Sequence, residues 1–108
     1  MVYSVNYEPE AVNDLDQVTQ TTRVRIFKKI EWLKNNFDQT SPLPLTGNFS
    51  GFYKLRIGDY RIIYEFDREN RIIYINRIGH RREIYEEYRR SQSLGSPPRS
   101  RTHRPEQF

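Results

Sequence analysis

Between residues 26 and 37 the apolar side chains Ile26, Ile30, Leu33 and Phe37 recur at steps of 4, 3 and 4. That is the spacing of one buried face of an α-helix, and it predicts a helix over about 20–36. Upstream, Ala11, Val12 and Leu15 form a shorter stripe behind Pro9. A proline in the first turn suits a helix start, so a first helix is expected from 9 to about 18. The short link between them implies an antiparallel helix hairpin. Ahead of it, VYSVNY at 2–7 alternates in the manner of a strand.

After residue 37 the pattern changes. DQTSPLPLTGNFS at 38–50 carries Pro42, Pro44 and Gly47 and reads as a loop. Three alternating, β-branched and aromatic runs follow at about 52–57, 60–66 and 71–79. Gly58-Asp59 joins the first two as a two-residue hairpin turn, and the chain turns again around 67–70. EIYEEYRR reads as a short closing helix or extension. The predicted fold is α+β, with an N-terminal strand, a helix hairpin, and a three-stranded antiparallel meander that completes a four-stranded sheet. A short C-terminal helix closes it. Residues 1–90 form the expected domain. The tail from 91 to 108 has three prolines in eighteen positions and almost no apolar residues, so it is expected to be disordered.

A two-residue turn fixes the register of its hairpin. Ile57 then faces Tyr60, Arg56 faces Arg61, Leu55 faces Ile62, and Lys54 faces Ile63. Tyr53, Leu55, Ile57, Tyr60, Ile62 and Tyr64 share one apolar face. Lys54, Arg56 and Arg61 collect on the other. Like charges directly across a hairpin are destabilising, which leaves two readings of this face: a solvated, charged surface or an anion-binding one. If the third strand pairs antiparallel with the second, its end lies beside Arg61. His80 and Arg81 are then expected to approach the same face, with Tyr85 at its edge.

Charge placement adds to this picture. The chain has 108 residues and net charge +4. Residues 1–50 hold five Lys/Arg against six Asp/Glu, residues 51–90 ten against seven, and the tail three against one. The positive charge lies towards the C-terminal half, where it favours a polyanion. Cysteine is absent, which suits a reducing compartment. No signal peptide and no run of 18 apolar residues is visible, so a cytoplasmic protein without a membrane partner is expected.

No carboxylate pair, Ser/His/Asp set, metal-ligand cluster or Gly-rich phosphate loop stands out, and neither metal nor cofactor is expected. A cationic site can still cleave RNA, because the 2′-hydroxyl is a built-in nucleophile. Such a site must align the attack, offset charge on the phosphorane and move two protons. Lys54 is a candidate base. An ordinary lysine is neutral only about once in 2,500 at pH 7, and neighbouring arginines would favour that neutral form. Arg61 and Arg81 would stabilise the phosphorane, His80 could exchange a proton at the leaving oxygen, and Tyr85 could stack a base or join the proton transfer. Arg56, Arg77 and Arg82 are expected as further RNA contacts.

The run FYKLRIGDYRIIYEFDRENRIIYINRIGHRREIY resembles the RelE branch of the RelE/ParE toxin superfamily. The likeness is strongest at Lys54-Leu55-Arg56, Asp59-Tyr60-Arg61 and 79–85, and it covers about residues 2–90. It implies a small α+β toxin that cuts mRNA in the ribosomal A site and is silenced by a RelB-like antitoxin that wraps around it in a hetero-oligomer. By position, the family's basic catalytic residues fall on Lys54, Arg61 and Arg81, and its functional tyrosine on Tyr85. Some members carry a second lysine two residues before the first, where this chain has Phe52. Two other readings compete with a ribosome-dependent endoribonuclease: a ParE-like inhibitor of DNA gyrase, and a non-catalytic RNA-binding module.

Overall fold

A computed structural model describes residues 2–86. The chain runs β1 (Ser4–Tyr7), α1 (Pro9–Asp16), α2 (Gln20–Asn36), β2 (Leu43–Pro44), β3 (Tyr53–Ile57), β4 (Tyr60–Asp67) and β5 (Ile72–His80). A last helix, α3, covers 81–86. The expected tail at 91–108 lies outside the described residues.

Each helix begins and ends for a local reason. Pro9 opens α1, where its missing N–H breaks no helical bond. Thr19 caps α2 by accepting the Thr22 N–H at 3.2 Å. Arg23 then reaches back across the link. Its Nε donates to the Leu15 carbonyl at 3.0 Å and its Nη2 to that of Val18 at 3.1 Å. The Leu15 carbonyl in the last turn of α1 and the Val18 carbonyl in the link thereby gain a donor.

The sheet has the order β1-β5-β4-β3-β2. β1 lies parallel to β5, and all other pairs are antiparallel. The expected four strands are present, and the 38–50 loop adds a two-residue edge, Leu43–Pro44, against Lys54 and Tyr53. The β3–β4 register is the expected one, with Arg56 opposite Arg61 and Lys54 opposite Ile63. Gly58 takes φ +56 at the first turn position, as a II′ hairpin requires.

One face of the sheet carries the main core. Ile26, Ile30, Leu33 and Phe37 from the α2 end, and Ala11 and Leu15 from α1, bury Ile57, Ile62, Tyr64, Ile73, Ile75 and Ile78. Val12 is 48% exposed instead of sharing the α1 stripe, because Ala11 and Leu15, four apart, already point at the sheet. The opposite face holds a smaller cluster of Phe52, Ile63 and Ile84, with Leu45 and Tyr85 packed on it.

A bulge separates the two ends of β5. Ile63 pairs with Arg77 but Tyr64 with Ile75, so Asn76 is the extra residue. Its Nδ2 donates to the fully buried Glu65 carboxylate at 3.0 Å. Beyond Ile75 the short β1 no longer covers β5. There Asp14 of α1 takes over, accepting the Ile78 N–H at 2.8 Å and the Arg77 Nε at 2.9 Å.

Candidate functional site

The site face is built on the odd–even alternation of β3 and β4. Phe52, Lys54 and Arg56 alternate with the core residues of the first strand and its approach, as Arg61, Ile63 and Glu65 do in the second. α3 lies across this face because Gly79 has no side chain. A Cβ at Gly79 would stand 3.3 Å from the Ile84 side chain. Two anchors hold the helix: Ile84 in the Phe52–Ile63 cluster, and the Arg81 N–H donated to the Asp59 carbonyl at 2.7 Å. This explains the sequence Gly-His-Arg-Arg at the end of β5. The glycine lets the chain fold back, and the fold-back sets Tyr85 over the basic residues.

Arg61 is the fixed point. It is only 5% exposed, and its Nη1 donates to the carbonyls of Gly58 and Tyr60, both at 2.9 Å. Its Nε donates to the Tyr85 hydroxyl at 3.3 Å. The guanidinium carbon lies 5.8 Å from the Tyr85 ring centre, and Lys54 Nζ lies 5.6 Å from it. Both cations therefore face the ring. The Tyr85 phenol is held below the ordinary tyrosine value, first by the hydrogen bond from Arg61 and further by Lys54, against the opposing effect of burial.

The other expected site residues divide. Arg56 stands cross-strand from Arg61 and is exposed, and Arg81 and Arg82 are exposed at the start of α3. His80 does not join the group. It pairs with Tyr60, and the two rings meet edge-on at 5.7 Å on the helix side of the sheet. Its Nδ1 accepts the Arg82 N–H at 3.2 Å. The bulge is the reason: one extra residue at Asn76 reverses the alternation and exchanges the faces of everything after it. Arg77 is drawn away from the group too, held by both carboxylate oxygens of Asp14 at 2.9 and 3.3 Å.

Sequence reasoning missed Ile84 and Gly79 as the parts that seat Tyr85. It also missed the bulge, whose signal was present: the buried isoleucines step by two from Ile73 to Ile75, then by three to Ile78. Among the described residues, no three His, Asp or Glu side chains gather as metal ligands would. No described helix is long and apolar enough to cross a membrane.

Fold and site together define a small α+β protein with a cationic sheet face closed by one tyrosine. Residues 5–85 match the family described as ParE toxin of type II toxin–antitoxin system, parDE, and the chain belongs to that family. It is a toxin of a RelE/ParE-type toxin–antitoxin system. No curated protein matches the sequence. Among solved structures, the RelBE2 toxin–antitoxin complex of Mycobacterium tuberculosis is similar at 23% identity and TM-score 0.67, over 74% of this chain and 99% of that one. The RelE–RelB complex of Pyrococcus horikoshii gives 24% and 0.60, over 75% and 97%. The RelB–RelE complex of Methanococcus jannaschii gives 27% and 0.58, over 76% and 96%.

Proposed function

We propose that this toxin is a ribosome-dependent endoribonuclease that cuts mRNA in the A site. A RelB-like antitoxin holds it inactive in a hetero-oligomer, and its place of action is the cytoplasm. The observation that carries the reading is the Tyr85 phenol, acidified by Arg61 and set between it and Lys54. A phenol of lowered pKa is a better base near neutral pH than an ordinary one. In this mechanism Tyr85, as phenolate, takes the proton of the 2′-hydroxyl. The 2′-oxygen bonds to phosphorus, the bond from phosphorus to the 5′-oxygen breaks, and the Lys54 ammonium supplies the proton that oxygen needs. The products are a 2′,3′-cyclic phosphate and a free 5′-hydroxyl. Arg61 is held in place before substrate arrives and faces the phosphorane without reorganising, the arrangement in which a charged donor helps most. Arg81, Arg56 and Arg82 bind the flanking backbone.

The test is cutting of mRNA programmed on 70S ribosomes, with naked mRNA beside it. Wild type cuts only on the ribosome. Tyr85→Phe loses activity by about 10²- to 10⁴-fold, the usual contribution of one proton-transfer group. Wild-type rate climbs with pH up to the lowered ionisation of Tyr85, and Tyr85→Phe lacks that limb. An active Tyr85→Phe with an unchanged pH profile would remove Tyr85 as base. The family matched is named for ParE toxins, so a gyrase supercoiling assay is run in parallel. Inhibition there, with no RNA cut, would establish the second reading.

A further inference from the structure

Several cations are tied down. Arg23 is bound to two carbonyls and to Gln20, Lys34 to Glu31, Arg71 to Asp38 and Arg77 to Asp14. Arg25, Lys28, Arg56, Arg81 and Arg82 are exposed and have no side-chain hydrogen bond or ion pair among the described residues. Of these, Arg25, Arg56 and Arg81 stand at one end of the sheet, around the Gly58-Asp59 turn. Arg81 is tied there through its N–H to the Asp59 carbonyl.

Gly58 is flanked from two sides. From the site face, Arg61 Nη1 holds its carbonyl at 2.9 Å. From α2, on the helix side, Arg25 comes so close that its Nη2 would stand 3.0 Å from a Cβ at Gly58. With φ +56 the position disfavours any side chain, so nothing rises between the two guanidinium groups. Beside this bare ridge, on the helix side, lies the half-buried aromatic pair Tyr60–His80.

We propose that the bound RNA strand does not stop at the sheet face but crosses the hairpin tip, and that Arg25 takes a second phosphate of the same strand on the helix side. The proposal rests on the RNA-cleaving reading and extends it. Arg61 and Arg25 reach Gly58 from opposite faces with the hairpin tip between them, an arrangement that suits a polymer with regularly spaced phosphates better than one small anion. A half-buried ring pair next to the track gives a base something to stack on, as single-stranded RNA surfaces do. The occupant is the substrate strand itself, because Arg61 belongs both to the tip and to the Tyr85 site.

Affinity for two uncleavable 2′-O-methyl oligoribonucleotides, a trimer and a nonamer, tests this across a salt series. Full-length wild type is compared with Arg25→Gln and with Lys34→Gln, which removes the same charge further along α2. Circular dichroism confirms that each is folded. The proposal expects Arg25→Gln to bind the nonamer roughly three- to tenfold more weakly and to lower the salt slope by about 0.7, the loss of one single-strand phosphate contact. The trimer should bind as it does to wild type, and Lys34→Gln should change neither. Equal nonamer binding by the two variants, or a wild type that does not prefer the nonamer, overturns the track. Weakened binding to vacant ribosomes or to an acidic antitoxin, with nonamer affinity intact, also overturns it and assigns Arg25 to that partner. A wild type that binds the nonamer with the full slope yet cuts no ribosomal mRNA sinks the nuclease reading and leaves the track in place.

Discussion

Tyr64 and Tyr85 sit on opposite faces of the same sheet, and their phenols are pushed in opposite directions. Tyr64 is 1% exposed among Phe37, Tyr53 and Phe66, and burial drives its ionisation far above the ordinary value. Tyr85 rests half-buried on a thin cluster under one short helix, and Arg61 pulls its ionisation down. The buried polar side chains divide the same way. Among the described residues, the buried charged and amide side chains Arg61, Glu65 and Asn76 all belong to the site-face positions or the bulge, and the helix-covered face has none of that kind. Burying charge costs stability unless it is paired. The apolar face supplies the cohesion that lets the other face hold such groups.

If that division is right, damage to the two faces should separate stability from activity. The largest loss of stability is expected from Phe37→Ala. It removes a fully buried ring packed at 4.7–4.8 Å on Tyr3 and Phe66 and should cost about 3–5 kcal/mol in urea unfolding. Arg61→Met should do the reverse. Cutting should fall by about 10²- to 10³-fold, a typical cost of deleting one charged transition-state donor. Unfolding should lose only about 1–3 kcal/mol, from the two carbonyls left without a donor. A spectrophotometric titration of the same variant should show Tyr85 ionising at higher pH than in wild type. Gly79→Ala comes next. The new methyl presses on Ile84, and we expect about 1 kcal/mol of destabilisation, with a larger proportional drop in activity as α3 tilts. An unmoved activity would show that the close approach does not position Tyr85.

The smallest effect is the dependence of stability on alkaline pH, and its sign differs for the two tyrosines. Between the lowered ionisation of Tyr85 and the ordinary value near 10, the folded chain binds fewer protons than the unfolded one, so Tyr85 makes stability rise with pH. Tyr64 behaves oppositely. Above about pH 10 the unfolded phenol ionises while the folded one stays neutral, so stability falls as pH rises. Wild type should therefore show a shallow maximum that Tyr85→Phe lacks and Tyr64→Phe broadens. A pH-independent midpoint across this range in wild type would contradict both assignments.

Much of this was legible in the chain because its signals were local. Gly58-Asp59 leaves a hairpin one natural register, and that register alone placed Lys54, Arg56 and Arg61 together. The 4-3-4 spacing of α2 needed no partner to be read. What escaped was the phase of β5. Its turn at 67–71 is long, with Arg71 at φ +56, and fixes no register, while the Asn76 bulge exchanges the faces beyond it. His80 was expected beside Arg61 for that reason and lies across the sheet. Asp14 and Arg77 meet from 63 positions apart, and neither residue advertises the other. The Leu43–Pro44 edge is two residues long and carries no alternation to detect.

The parallel pairing of β1 with β5 also sets a timetable. Among the described residues, the first strand has its only strand partner in the last, Ser4 against Ile72 through Tyr7 against Ile75. Contacts that span most of a chain form late and slow its folding. As the toxin leaves the ribosome that makes it, β1 must wait as an unpaired segment until β5 has emerged. Arg61 is translated well before that point, yet Gly79 and Tyr85 come after it. A nascent chain therefore carries its cations before it carries a finished site, and the contact between Arg61 and Tyr85 cannot form until nearly all of residues 2–86 have been made.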